Sequence, residues 1–235
     1  MNISSVTHLG LVRKRNEDCL VVKELGNQTM LLAVADGMGG HTGGEIAARI
    51  AAESLEDFDP DSREAEADLL ESLEAANRKM MEISAGNGNL REMGTTLTVA
   101  FVREREVHWA HVGDSRLYLF RDGCLVQVTD DHTYPGLLLR GGEISKEEAR
   151  IHPLGHLLMN CLGRPSYETD TGSFTAERND LLLLSTDGLH DTVSDERMAW
   201  ILSNGLSLSD KVVALLDAAL KKGGKDNITV IAAKL

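Results

Sequence analysis

Residues 94–129 read GTTLTVAFVREREVHWAHVGDSRLYLFRDGCLVQVT, and this stretch decides the fold class. Its β-branched and aromatic residues come in short runs, Thr95 to Val102, Val107 to Val112, Arg116 to Phe120 and Leu125 to Val128, the texture of successive strands. Arg121-Asp122-Gly123 between the last two is a tight hairpin link. The stretch is therefore predicted to be an antiparallel meander. On its N-terminal side, Ile46, Ile50, Leu55 and Phe58, and then Leu69, Leu73, Ala76, Met80 and Ile83, recur at helical spacing and predict two amphipathic helices over Gly44 to Phe58 and Asp68 to Ser84. On its C-terminal side, Asp130 to Leu162 is a mixed segment interrupted by Pro135, Gly136, Gly141, Gly142, Pro153 and Gly155, with one short helical candidate, Ser145 to Ile151. A strand over Asp180 to Ser185, helices over Asp195 to Ser203 and Ser209 to Lys222, and a last strand over Ile228 to Lys234 follow, the second helix stopping at Gly223-Gly224. Strands mixed with helical pairs, without strict βαβ alternation, indicate a layered α+β fold rather than a doubly wound one.

With 235 residues, 42% of them hydrophobic, the chain can bury one sizeable core, and no linker divides it, so residues 1–235 are expected to form one domain. The net charge of −13 argues against nucleic acid, which would repel it, and against anionic membrane. Much of the excess acid lies between Glu53 and Glu74 and is predicted to be a solvated helix face. Cys19, Cys124 and Cys161 show no metal-ligand spacing and are expected to be reduced, partly buried thiols. Met1 to Arg15 lacks an apolar signal-like core, and no apolar run reaches the roughly 18 residues of a membrane span. The expectation is a soluble, cytoplasmic protein. Trp109 and Trp200 are predicted to pack in the core, and His152 and His156, separated by Pro153, do not make a metal-binding helical pair.

Four acidic clusters then stand out: Asn16-Glu17-Asp18, Ala35-Asp36-Gly37, Thr186-Asp187-Gly188 and Lys225-Asp226-Asn227. The last three border the apolar runs Met30 to Ala35, Leu181 to Leu184 and Ile228 to Ile231, so strands can carry carboxylates distant in sequence to one sheet edge. Gathered carboxylates resist ionising together, and a site made of them holds a hard divalent cation or keeps protons.

The order of these motifs is more specific than any one of them. Arg13-x-x-Asn16-Glu17-Asp18, Ala35-Asp36-Gly37-Met38-Gly39-Gly40, Gly94-Thr95-Thr96, Val112-Gly113-Asp114-Ser115-Arg116, Ser185-Thr186-Asp187-Gly188-Leu189-x-Asp191 and Asp226-Asn227-Ile228-Thr229 together resemble the PPM family, the phosphatase-2C type of metal-dependent serine/threonine protein phosphatases. The resemblance runs from about Thr7 to Val230. It implies a central β-sandwich of two antiparallel sheets with a pair of helices on each outer side. It also implies that Asp36 bridges two Mn²⁺ or Mg²⁺ ions. Asp187 and Asp226 complete one of them, Glu17 and the Gly37 carbonyl hold the other, and Asp18 orders coordinated water. Asp114 and Asp191 would join Asp187 at a weaker third ion, and residues 132–156 would be the flap beside the active site, where they either contact protein substrate or pack without a specific role.

An all-oxygen ligand set suits Mg²⁺ or Mn²⁺ rather than Zn²⁺. Two such ions lower the pKa of a shared water enough for in-line attack on phosphorus, and Arg13 offers a planar fork for the phosphate oxygens. The serine or threonine leaving group needs a proton. Many eukaryotic relatives place His directly after the Asp-Gly, where this chain has Met38 as bacterial-type members do; His41 and a coordinated water are the candidate acids. The resemblance implies phosphoproteins as substrates, opposition to a bacterial Hanks-type kinase, and a monomer. The competing readings, an inactive phosphoprotein-binding regulator of the same fold and a metal-dependent phosphodiesterase, are disfavoured by the retained Glu17, Asp36, Asp187 and Asp226 and by the acidic balance.

Overall fold

A computed structural model describes residues 2–26, 28–39 and 43–235. In chain order the elements are β1 (Asn2–His8), β2 (Asp18–Gly26), β3 (Thr29–Met38), α1 (Gly43–Glu53), α2 (Ala65–Gly86), β4 (Gly94–Thr95), β5 (Leu97–Arg103), β6 (Glu106–Val112), β7 (Arg116–Arg121), β8 (Cys124–Gln127), α3 (Tyr134–Arg140), α4 (Lys146–Arg150), β9 (Asp170–Thr175), β10 (Leu181–Ser185), α5 (Asp187–His190), α6 (Asp195–Ser203), α7 (Leu208–Lys221) and β11 (Ile228–Lys234). One sheet has the order β1-β11-β10-β7-β8, the other β2-β3-β5-β6-β9, with β4 added beside β3. All the pairings are antiparallel.

The central strands are apolar on both faces because both faces are covered. Along β3, Met30, Leu32 and Val34 enter the layer between the sheets, where they meet Leu182, Leu184 and Ile231. The alternate residues Leu31, Ala33 and Ala35 face α1 and α2. In the other sheet Leu181 and Leu183 of β10 and Ile228 and Val230 of β11 pack under α6 and α7. The result is the four-layer αββα sandwich expected, with three apolar clusters between its layers. Each fully buried leucine in these layers contributes roughly 1.5–3 kcal/mol relative to exposure.

Several local expectations need correction. Pro135 and Gly136 do not interrupt structure; they begin α3, where Thr133 caps by accepting from the Gly136 N–H and proline at the first turn loses no helical hydrogen bond. Trp200 is exposed, with the Arg197 guanidinium 4.1 Å from its ring centroid, whereas Trp109 packs against the inter-sheet layer as expected. All three cysteines are free, but Cys124, on the β7–β8 hairpin, is exposed rather than partly buried. Of the acidic run, only Asp68 is drawn partly under the surface. Among the described residues no helix is long and apolar enough to cross a membrane.

Candidate metal centre and active site

Antiparallel pairing brings the acidic motifs to one rim of the sandwich. Asp18 opens β2 and stands directly opposite Asp36, near the end of β3. β10 ends at Ser185 opposite Val230 of β11, so Asp187 at the start of α5 and Asp226 just before β11 emerge together. Asp114 lies in the β6–β7 turn, and Arg116 after it is paired with Ser185, which brings that turn to the same rim. Asp191 follows α5 and is exposed, yet lies near enough to Asp114 and Asp187 to raise both of their carboxyls.

Backbone and hydroxyl groups hold these carboxylates in place. The Asp36 N–H donates to Thr96 Oγ1 at 2.9 Å, and its carbonyl accepts from the Thr95 hydroxyl at 2.8 Å. Thr186 and Thr229 hydroxyls donate to Asp18 Oδ2 at 2.9 and 2.7 Å. Asn227 accepts the Glu17 N–H through Oδ1 at 2.8 Å and donates through Nδ2 to the Leu9 and Arg15 carbonyls, which fastens the loop carrying Arg13. A Cβ on Gly37 would stand 2.1 Å from the Gly44 carbonyl oxygen and 2.7 Å from that of Glu17, so only glycine lets Glu17, residue 37 and the first turn of α1 approach this closely. Thr186, Asn16 and Asn227 adjoin acidic residues in sequence, and Thr229 closes the Asp226 motif; that placement was the available signal for their supporting role, Asn16 accepting the Asp18 N–H at 3.2 Å.

The electrostatics are those of a cation site. Burial, then the neighbouring Asp187, Asp18, Asp114 and Asp226, push the Asp36 carboxyl well above its ordinary range. Asp187 is raised in the same way by burial, Asp114 and Asp191. Burial raises Asp18 to about 6 against its two threonine hydrogen bonds, and burial with Asp131 and Asp191 raises Asp114 to about 7. Burial also raises Glu17. Asp18 Oδ1 and Asp187 Oδ1 are buried without a hydrogen-bond partner. Orphaned anionic oxygens among repelling carboxylates fit hard divalent cations, which satisfy both defects at once. Among the described residues no three His, Cys, Asp or Glu side chains form a ready cation cage. Arg13 does not point away as a bare phosphate fork here: its Nη2 donates to Asp226 Oδ2 at 2.6 Å. His41 lies outside the described residues.

A model of the family described as protein phosphatase 2C matches residues 12–223. The serine/threonine phosphatase Stp of Listeria monocytogenes is 38% identical over 232 residues, 96% of this chain and 92% of that protein. The chain belongs to the protein phosphatase 2C family. Membership makes it a phosphoric monoester hydrolase. The crystal structure of the Mycobacterium tuberculosis serine/threonine phosphatase PstP/Ppp matches with a TM-score of 0.91 and 36% identity, covering 100% of this chain and 98% of that one. The catalytic domain of PstP in complex with two manganese ions matches at 0.88 and 35% identity, with the same coverage.

Around the phosphatase rim the structure adds residues to which the sequence assigned no role. Arg116 forms a fork on Asp131, Nε to Oδ1 at 2.7 Å and Nη2 to Oδ2 at 2.6 Å, and donates to the Tyr118 hydroxyl at 2.9 Å. The segment expected to be the flap leaves and returns side by side, with Thr133 bridged to Leu158 and the Tyr134 N–H donating to the Leu157 carbonyl. Its α3 is tethered by Arg140 to Asp130 and Asp170, while Leu137, Ile151 and Leu154 are exposed.

Proposed function

We propose that Asp36, Glu17, the Gly37 carbonyl, Asp187 and Asp226 hold two Mn²⁺ or Mg²⁺ ions, and that Asp114 and Asp191 with Asp187 hold a weaker third. The chain is a metal-dependent serine/threonine protein phosphatase, and its substrates are phosphorylated proteins. The observation that carries the site assignment is the orphaned, buried Asp187 Oδ1 on a rim where the Asp18, Asp36, Asp114 and Asp187 carboxyls resist ionisation. When bound, the ions supply an activated water nucleophile and positive charge for the phosphoryl oxygens.

The chain's own residues do the rest. Asp18, with Oδ2 fixed by two threonines and Oδ1 free, accepts from and orients the attacking water. Arg13 neutralises Asp226 until a cation takes over that charge, then turns its fork to two oxygens of the phosphate. His41 and a coordinated water remain the two candidates for protonating the serine or threonine leaving oxygen.

We further propose that residues 1–235 act as one phosphatase domain, with 132–156 as its flap, and as a monomer. A cytoplasmic location fits the three free cysteines. A protein kinase that phosphorylates serine and threonine, of the bacterial Hanks type, must supply such a substrate. The test is Asp36→Asn: calorimetry should show loss of both tight Mn²⁺ sites, and turnover on a phosphothreonine peptide should fall on the order of 10³-fold, the several kcal/mol that metal charge provides. An active Asp36→Asn enzyme would overturn the assignment.

A further inference from the structure

His132 sits at the neck of the flap, almost fully buried, and meets the Asp114 turn from both directions. Its backbone N–H donates to the Gly113 carbonyl at 2.7 Å, and its ring Nδ1 lies 3.1 Å from the Gly113 N–H. Gly113 has φ +112°, and a Cβ there would stand 2.5 Å from Thr96 Cγ2, so the turn takes a backbone shape and a close approach to Thr96 that only glycine allows. On the returning arm of the flap, the Met159 N–H donates to the His132 carbonyl at 2.8 Å, and Asn160 Nδ2 stands 2.8 Å from the same ring Nδ1. One side chain thus joins the Asp114 turn to both arms of the flap.

The contacts fix the tautomer of that ring. The Asn160 amide is oriented by Glu168, whose N–H donates to Oδ1 and whose carbonyl accepts from Nδ2, so Nδ2 is the group facing His132. Two donors, the Gly113 N–H and the Asn160 NH₂, therefore converge on Nδ1, which has to be the bare acceptor. The ring proton sits on Nε2 and donates to Asp170 Oδ2 at 3.0 Å, and Arg140 Nη2 holds the same oxygen at 3.2 Å. Asp170 is paired with His111 at the start of β9, a rigid edge of the sheet.

We propose that His132, held as its Nε2–H tautomer by Asp170, is a positioning residue that clamps the Gly113–Asp114 turn and couples it to the flap neck. The catalytic consequence rests on the reading of Asp114 as a ligand of the third ion. His132 touches neither substrate nor ion; it acts by fixing the peptide that carries Asp114, as partners behind metal ligands do.

Two measurements test this. In ¹⁵N-histidine-labelled protein, long-range ¹H–¹⁵N correlations near neutral pH should show an imine-type Nδ1 and a protonated Nε2 for His132; an Nδ1–H form, or rapid averaging of the two nitrogens, overturns the clamp without any variant having to fold. His132→Leu, which has no acceptor, should shift the Gly113 amide resonance and lower kcat on a phosphothreonine peptide about 10-fold with KM little changed. His132→Asn, whose Oδ1 can stand where Nδ1 stood, should restore the amide resonance and bring kcat back to within about 3-fold of wild type. Equal losses in the two variants, or an unmoved Gly113 amide in His132→Leu, overturn the inference. Asp114→Asn run alongside separates the two ideas: full turnover and an unchanged Mn²⁺ response there sink the third-ion reading alone, while the ring tautomer and the Gly113 amide still judge the clamp.

Discussion

Asp131 and Asp36 are both half-buried carboxylates of the same acidic rim, and the chain treats them in opposite ways. Burial pushes the Asp131 carboxyl up, but the Arg116 fork on both of its oxygens outweighs burial and holds it below the ordinary range. Gln127 adds a third donor at 2.9 Å. Among the described residues no guanidinium forks onto Asp36, and burial and four neighbouring aspartates drive its pKa upward. The same sequence supplied a matched guanidinium a short distance away, so the unmatched group is not a failure of packing. It marks where charge compensation is left to something that binds.

That contrast predicts opposite signs for two similar substitutions. Asp131→Ala leaves the Arg116 guanidinium without its counter-charge and should lower unfolding free energy by about 3 kcal/mol, read from urea titrations. Asp36→Asn, although lethal to turnover, removes one member of a repelling set and should raise the melting temperature of the protein in EDTA. If both variants melt lower than wild type without metal, the division between structural and functional carboxylates fails.

A smaller effect follows from pH. Asp18 and Asp114 have folded pKa values of about 6 and about 7, above the roughly 3.9 of an unfolded aspartate. A raised carboxyl pKa means that the folded state binds the proton more tightly. The associated stability is fully present below the unfolded pKa and is lost as pH rises through the folded values. Metal-free protein should therefore become less stable between about pH 4 and about pH 7, and saturating Mn²⁺, which binds the deprotonated groups, should flatten or reverse that slope. Urea midpoints across this range, with EDTA and with Mn²⁺, check it; a metal-free protein that gains stability with rising pH contradicts the raised values.

The same contrast explains what the sequence could and could not disclose. Strands such as β3, β10 and β11 were legible because covering both faces makes their residues continuously apolar. β1, β2 and β9 escaped because they are sheet edges, half-buried and more polar, and Asn2–His8 and Asp170–Thr175 carry no continuous apolar run. α3 escaped because Pro135 and Gly136 resemble breakers until Thr133 is seen capping them. The acidic ligand candidates were visible in short motifs, since each sits beside its strand. Asp131 and His132 carried no such mark: their partners Arg116, Gly113, Asn160 and Asp170 lie 15 to 38 residues away and meet them only through sheet pairing and the flap neck.

Arg13 gives the smallest structural effect and so sharpens the comparison with Arg116. Both arginines hold an aspartate at 2.6 Å, but the Arg13 side chain is 51% exposed and that of Arg116 only 19%. Exposed pairs are screened and contribute little, so Arg13→Ala should change stability by less than about 0.5 kcal/mol. Its cost should appear instead as a higher KM for phosphopeptide and some loss of kcat, because the guanidinium serves the phosphate rather than the ions. Calorimetry should still count two tight Mn²⁺ sites, since removing a cation from Asp226 leaves that carboxylate free for metal. If Arg13→Ala destabilises the fold as strongly as Asp131→Ala, its pairing with Asp226 is structural after all; if it loses a tight metal site, its assignment to the phosphate is wrong.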